Sequence, residues 1–541
     1  SRGLGDVYKR QVTPNLMKGD ILEERQVRTT GYNFRNQLNF SRRFDKHEID
    51  AIAGTEISNT IIKGTTSPTV YGYNDDRLTV GTFPNGTTVK DWMGYNKTFY
   101  YTPSYSYLTS RYFSLYGNVA YTFDSKYTLS GSVRTDASNL ITDDPKYRYS
   151  PFWSIGLRWQ LYREKYMTNI EWLDRLTLRI TYGYNGNVDS STSFRPLISL
   201  QSTPDLYTNE NVATIASFGN PTLRWEKVGT LNIGLDYSTF AGKLFGKLDY
   251  YRKDGKDLLA KISIPSINGT TSQKFNNAAM QNHGIELEIG ITLAITENIE
   301  WQGNLNFAWN RNKITKLFRQ NYTSSDLAYG DATSAYVEGK NSQTLWAYKY
   351  AGIHNVGTAE SPDWQPMVQG PDENTLFAFA DGWPKGDATT YMLDMGTKVA
   401  PYTLGFTNQF KIYNFDFSFI ITGKFGHVFN HHSFNYPDVS AKALPNARYS
   451  EVLNCDPMKM LPLPQNDVEK TYSTWFPMYK SLDYLADKAN HVRLQEINLT
   501  YHVPAKLLAK IGISSLRLYA QANNLFVITN NKYDEDPETP L

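Results

Sequence analysis

Along much of the chain, apolar and polar residues alternate with a period of two, the repeat of a strand whose faces meet different surroundings. Tyr32, Phe34, Leu38, Phe40 and Phe44 fall on one side, and Asn33, Arg35, Gln37, Asn39, Ser41 and Arg43 on the other. After a short turn at Asp45 and Lys46, Ile49, Ala51, Ala53 and Ile57 continue against Glu48, Asp50 and Glu56, which predicts a hairpin. Six more hairpins follow. The second places Phe113, Leu115, Val119, Tyr121 and Phe123 before a turn at residues 124–126 and Tyr127, Leu129 and Val133 after it. The third joins SPFWSIGLRWQL to RLTLRITYGYN over a longer turn. The fourth pairs Leu231, Ile233, Leu235 and Tyr237 with Leu244, Leu248 and Tyr250 across Ala241 and Gly242. The fifth pairs Ile285, Leu287, Ile289 and Ile291 with Trp301, Leu305, Phe307 and Trp309. The sixth joins Leu404, Phe406, Phe410 and Ile412 to Phe415, Phe417, Phe419 and Ile421 through Tyr413 and Asn414. The seventh joins Ile497, Leu499, Tyr501 and Val503 to Leu516, Leu518 and Ala520 through PAKLLAKIGIS, read as about one helical turn.

These 14 strands are expected to run about 10 to 13 residues, enough to cross about 25 to 30 Å at a tilt near 45°. Residues 11–26 and 340–352 offer one or two more. Connections inside hairpins are short, whereas those at 59–110, 187–222, 314–400 and 428–488 are long. A soluble sandwich or propeller has no reason to gather its long loops on one side; a membrane barrel does. A row such as Phe415, Phe417, Phe419 and Ile421 would be an aggregation-prone patch in water, and lipid removes that penalty. By parity Arg35, Arg43, Arg179 and Lys247 fall on the opposite face, avoiding the roughly 2–4 kcal/mol cost of a basic side chain at the bilayer midplane. The expected fold class is therefore all-β, an antiparallel transmembrane β-barrel.

Composition narrows this further. The 55 Lys and Arg balance 53 Asp and Glu, so the charge of +2 gives no reason to expect nucleic acid as a partner. Mean hydropathy is −0.49 and no stretch offers the 18 or so apolar residues of a spanning helix, but alternating strands average out polar in any case. The 39 Tyr and 11 Trp suit either interfacial girdles or a sugar-binding surface. One cysteine, Cys455, excludes an intrachain disulfide and a zinc site with more than one thiolate. Residues 1–10, SRGLGDVYKR, contain no Met and no apolar signal core and are read as a non-native leader, leaving 11–541 as part of a barrel.

Several segments resemble SusC/RagA-type TonB-dependent outer-membrane transporters of the Bacteroidetes. They are YNFRNQLNFSRRFDKHEIDAIAGTEI, WLDRLTLRITYGYNGN, NPTLRWEKVGTLNIGLDY with DYYRKDGKDLL, NHGIELEIG, WNRNKITKL, PYTLGFTNQF with FDFSFIITGKFGHVF, and HVRLQEINLTYHVPAKLLAKIGISSLRLYAQANNLFVIT before YDEDPE. They recur in order from about residue 29 to 540. The resemblance implies a 22-stranded barrel closed by an N-terminal plug, energised by TonB and paired with a SusD-like surface lipoprotein, importing a glycan or peptide cargo across the outer membrane. Against that pattern the chain supplies an incomplete barrel of about 14–16 strands without the plug, so an open sheet with unpaired edges is expected, and no TonB-coupling residue is carried over. The rival reading is a secreted all-β carbohydrate-binding or hydrolytic protein.

Candidate chemistry is sparse. His47 and Glu48 open like HExxH, but position 51 is Ala and the stretch alternates as a strand. His427, His431 and His432 cluster in a loop without a carboxylate at ligand spacing and are expected to be solvated. Asp381, Asp387 and Asp394 have degenerate spacing for a calcium loop. Trp225 with Glu226 suggests sugar stacking beside an acid, yet the family resemblance puts the pair at the start of a strand. Asp143 and Asp144 lack an acid/base partner, and Trp364 and Trp383 are loop aromatics. No GxSxG elbow, P-loop or spaced Cys/His pattern occurs. The sequence thus assigns no catalytic residue, no cofactor, no metal and no ligand-binding residue.

Overall fold

The computed structural model describes residues 20–538 except 69, 80–85, 91–95, 100–102, 143, 190–191, 201–207, 209, 211, 269–271, 320, 331–333, 363, 371–375, 379–385 and 432–479. Fourteen long strands make one sheet: β1 (Arg25–Phe44), β2 (His47–Thr66), β3 (Ser104–Phe123), β4 (Tyr127–Ser138), β5 (Ser150–Gln160), β6 (Leu173–Asn187), β7 (Glu226–Thr239), β8 (Leu244–Ser263), β9 (Ser272–Thr296), β10 (Ile299–Lys316), β11 (Tyr402–Ile412), β12 (Phe415–Phe425), β13 (His491–His502) and β14 (Arg517–Thr529). Each strand neighbours the next in the chain, the order of an up-and-down meander. The order does not close on itself: β1 and β14 stand at its two ends. All seven hairpins expected from the alternation are present.

Two expectations need adjustment. Several strands exceed 10 to 13 residues: β1, β2, β3 and β8 have 20 each, and β9 has 25. The apolar alternation stops where the lipid-facing band stops, but backbone pairing continues beyond it because a ladder in water needs no apolar face. Of the extra strands expected at 11–26 and 340–352, residues 11–19 lie outside the described residues, Arg25 and Gln26 belong to β1, and the other described parts add no strand to the sheet. Asp20–Leu22 pairs with Val70–Tyr73, and Thr344–Tyr348 with Met392–Thr397, each in a small sheet of its own.

The chain divides into two compact units. One comprises residues 1–38, 53–116 and 135–140; the other comprises 39–52, 117–134 and 141–541. In the first, Glu56 accepts from Asn33 at 2.7 Å and from Arg35 at 2.9 Å, and Tyr116 donates to Gln37 at 2.9 Å. Arg35 therefore sits in a polar ladder, as its parity required.

In the second unit the register sorts the residues into rows. Leu178, Leu235, Leu248, Leu287, Phe307 and Leu404 are cross-strand partners in sequence from β6 to β11. The next row of that face runs Ile180, Ile233, Tyr250, Ile285, Trp309 and Tyr402. Between them on the other face lie Arg179, Gly234, Asp249, Glu286, Ala308 and Thr403. One face is thus a continuous apolar surface and the other is polar, the division a membrane barrel requires.

The short turns share one rim. Backbone bonds run from Phe240 to Trp172 (2.8 Å), Thr292 to Lys243 (2.8 Å), Tyr413 to Asn298 (2.8 Å) and His502 to Asn414 (2.8 Å). Ala505–Leu508 is the helical turn expected between β13 and β14. The tight bends put Asp45, Asp124, Ala241 and Tyr413 at positive φ, between 51° and 58°.

The long connections at the opposite strand ends carry a packed core of their own. Tyr322, Leu327, Trp346, Tyr348, Val368, Tyr391, Met392, Leu482 and Leu485 form one buried cluster. Thr323 caps the helix Ser324–Tyr329 in a reciprocal capping box with Asp326. A parallel bridge between Tyr348 and Leu482 ties residues 480–486 to the 317–400 loop. Each fully buried large side chain contributes about 1.5–3 kcal/mol, so these loops form a folded module in place of loose coil.

Candidate functional site: the polar wall and the loop module

The polar face of β6 to β10 is a network of charges. The Arg179 guanidinium donates to both Asp236 oxygens at 2.8 Å each, and its Nη2 reaches Asp249 Oδ1 at 3.3 Å. Lys247 pairs with Glu288 at 2.9 Å. Nearer the turn rim, Asp174, Asp236, Lys247 and Glu288 line a concave pocket. Farther along the wall, His502 meets Asp416 at 2.6 Å, and Glu300, Gln302, Gln409, Ser418 and Asn498 line a second hollow. Parity foretold that Arg179 and Lys247 share this face; it could not foretell their partners, which come from strands 57 and 41 residues away in the chain.

At the loop ends of β12 and β13 the tail after β14 folds back. Arg493 Nη2 holds both Asp536 oxygens at 2.7 and 2.8 Å and lies 3.2 Å from Glu538. Lys424 also pairs with Glu538, and His491 Nε2 lies 3.5 Å from it. Burial works against the Glu538 charge, but Lys424, His491 and Arg493 together hold its carboxyl below the usual range. Lys532 Nζ and the Tyr533 hydroxyl both donate to the Tyr484 carbonyl, the latter at 2.8 Å, joining the tail to the loop module.

The histidines depart from expectation. His427 and His431 are buried, not solvated. His431 pairs with Glu535, and its ring stacks on Tyr533 with centroids 3.7 Å apart. That carboxylate lies 104 residues away in the chain, so local spacing gave no hint of it. His427 packs 5.9 Å from His491; burial, then the nearby His491 and Lys424, push its pKa down to about 4. His432 lies outside the described residues. Among the described residues no group of three or more His, Cys, Asp or Glu could hold a metal ion.

The other candidates have structural places. His47 opens β2 in extended backbone, hydrogen-bonded to the Tyr121 hydroxyl at 2.6 Å and stacked near Phe44. Asp387 caps the turn Ala388–Thr390 by accepting from Thr389 N at 3.1 Å, and Asp394 pairs with Lys340 at 2.9 Å, so the two carboxylates point to separate protein partners. Trp225 is buried, packs edge-on against Phe152 and donates to the Arg148 carbonyl at 3.2 Å; Glu226 begins β7 and accepts from Leu259 N at 2.8 Å. Trp364 begins a short strand, Trp364–Gln369. Asp143, Asp381, Trp383, Cys455 and residues 1–10 lie outside the described residues.

One polar residue on the apolar face escaped the alternation. Asn408 faces Gly303 and Phe419 across its two ladders and is 3% exposed. The Trp301 ring lies over Gly303, where a Cβ would meet it at 2.9 Å, and its Nε1 donates to Asn408 Oδ1 at 3.1 Å. Glycine at 303 makes room for an indole that shields the amide from lipid.

A sheet with one apolar and one polar face, short turns on one rim and long folded loops on the other defines an outer-membrane barrel wall. The family described as TonB dependent receptor-like, beta-barrel matches residues 8–404, and the chain belongs to it. It is 26% identical over 550 residues to TonB-dependent receptor P26 of Formosa agariphila, covering 95% of this chain and 51% of that protein. It is 27% identical over 444 residues to TonB-dependent receptor SusC of Bacteroides thetaiotaomicron, covering 79% and 41%. The solved structure of the RagAB peptide transporter superposes with a TM-score of 0.70 at 22% identity, covering 96% of this chain and 54% of that one. The chain spans about half the length of the curated relatives it matches. That membership makes the chain a piece of an outer-membrane TonB-dependent receptor barrel and sets aside the reading as a secreted carbohydrate-binding or hydrolytic protein.

Proposed function

We propose that this chain forms barrel wall and outer loops of a TonB-energised nutrient importer of the SusC/RagA kind, taking an oligosaccharide or peptide in partnership with a SusD-like surface lipoprotein. The observation that carries the reading is the folded loop module built on Tyr348, Val368 and Leu482: loops that merely closed hairpins would need no buried core. A packed module at the outer strand ends is a surface for a lipoprotein lid and for cargo. The polar wall of Arg179, Asp236, Lys247 and Glu288 supports the same reading, since it offers charged and hydrogen-bonding groups to whatever fills the barrel. The similarity to SusC and to the RagAB peptide transporter favours import over export or adhesion. Deleting the gene in its host and comparing growth on glycans and on peptides as limiting nutrients tests this. Loss of growth on one class, restored by the gene and dependent on TonB, is expected. Unchanged uptake of both classes would contradict it.

A further inference from the structure

The apolar face ends abruptly at its aromatic row. One row farther toward the loops, Arg252, His283 and Arg311 are successive cross-strand partners on β8, β9 and β10. They share the face of Tyr250, Ile285 and Trp309, two residues on along each strand, and His283 packs edge-on against Trp309 with centroids 5.5 Å apart. Beyond them on the same face come Asp254, Gln281 and Lys313, and then Lys256 opposite Lys227. Two residues of strand advance about 6.6 Å and neighbouring strands lie about 4.8 Å apart, so these side chains form one patch. The patch holds five Lys and Arg residues and one carboxylate. Asp254 neutralises Arg252, at 2.9 Å, and also accepts from Gln281 at 2.8 Å. Arg311, Lys313 and Lys256 are exposed.

We propose that this patch binds the phosphates of the glycolipid headgroups in the outer leaflet. Its apolar border is continuous with the lipid-facing rows, so a lipid whose acyl chains lie on Leu287 and Phe307 brings its headgroup to the level of Arg252, His283 and Arg311. Among the described residues of these rows the one carboxylate is Asp254, and Arg252 pairs with it. Cations spaced along a β-ladder suit phosphate oxygens, which take charge-assisted bonds from several donors at once. An acidic protein partner would not need the apolar border, which is why the lipid is favoured.

The test uses the full-length protein extracted from outer membranes and washed in detergent, with retained phosphorylated lipid A measured per protein. The double variant Arg311→Glu with Lys313→Glu is expected to retain about tenfold less, since two charge-assisted contacts are lost and repulsion replaces them. Asn310→Glu, one residue before Arg311 and on the other face, is expected to retain the wild-type amount. Heat-modifiable gel migration establishes that each variant is folded; if the double variant is not, Lys256→Gln with Lys313→Gln replaces it, with a severalfold loss expected. Wild-type retention in a folded patch variant, an equal loss in Asn310→Glu, or retention that persists when phosphate-free lipid is supplied would each overturn the assignment.

Discussion

Arg179 on β6 and Asp236 on β7 are joined by two parallel hydrogen bonds of 2.8 Å, and the same guanidinium separates Asp236 from Asp249 on β8. Removing it leaves two carboxylates facing one another on the polar wall. With the Arg179 and Asp236 side chains each 33% exposed, solvent screens part of the loss. Arg179→Ala is expected to lower stability by about 1–2 kcal/mol, and Arg179→Lys to recover little because an ammonium cannot grip both oxygens. The temperature at which heat-modifiable migration is lost measures both.

The two faces of β9 and β10 should respond oppositely to charge. Leu287→Arg places a cation among Leu248 and Phe307 and is expected to cost about 2–4 kcal/mol in the membrane. Asn306→Arg, on the polar face opposite Glu288, should cost well under half as much. Unfolding in urea after insertion into bilayers compares them.

Leu482 is fully buried in the loop module. Leu482→Ala is expected to destabilise the module by about 2–5 kcal/mol through the cavity it leaves. Limited proteolysis should then cut within 317–400 while gel migration of the barrel stays normal. Equal protease resistance in the variant would show that the module does not depend on this core.

Local sequence determines strand faces, whereas contact partners depend on residues far apart in the chain. Leu178, Ile180 and Tyr182 face one way because alternate side chains must, so hairpins, faces and the side of Arg179 could be read from local sequence. The partners could not: Asp236, Glu535 and Asp536 reach Arg179, His431 and Arg493 only through the fold. His427 and His431 looked like solvated loop residues because what covers them is distant in the chain: His491 of β13 packs on His427, and Tyr533 and Glu535 of the tail after β14 meet His431. Asn408 broke the alternation in plain sight, but its shield is Trp301, 107 residues earlier. The loop core built on Tyr348 and Val368 has no two- or 3.6-residue period to announce it.

His427 makes acid sensitivity directional. Its folded pKa is held at about 4, below the ordinary histidine value of 6.5, so the unfolded form takes up the proton first. Its contribution to stability is therefore complete above about pH 6.5 and is lost as pH falls toward 4. Lys424 and His491 oppose the added charge and Glu538 favours it. Hydrogen exchange of the β12 and β13 loop-side ends, corrected for intrinsic rates, should quicken across that interval, and His427→Phe should flatten the change.

Strand β9 shows whether the alternation separates lipid from the barrel interior. Nitroxides placed singly at positions 285, 286, 287, 288 and 289, in a Cys455→Ser background and in outer membranes, report lipid exposure through collisions with dissolved oxygen. A lipid-facing apolar row gives high oxygen accessibility at Ile285, Leu287 and Ile289 and low values at Glu286 and Glu288, a period of two that continues in register on β10. A flat profile, or maxima at Glu286 and Glu288, would contradict it.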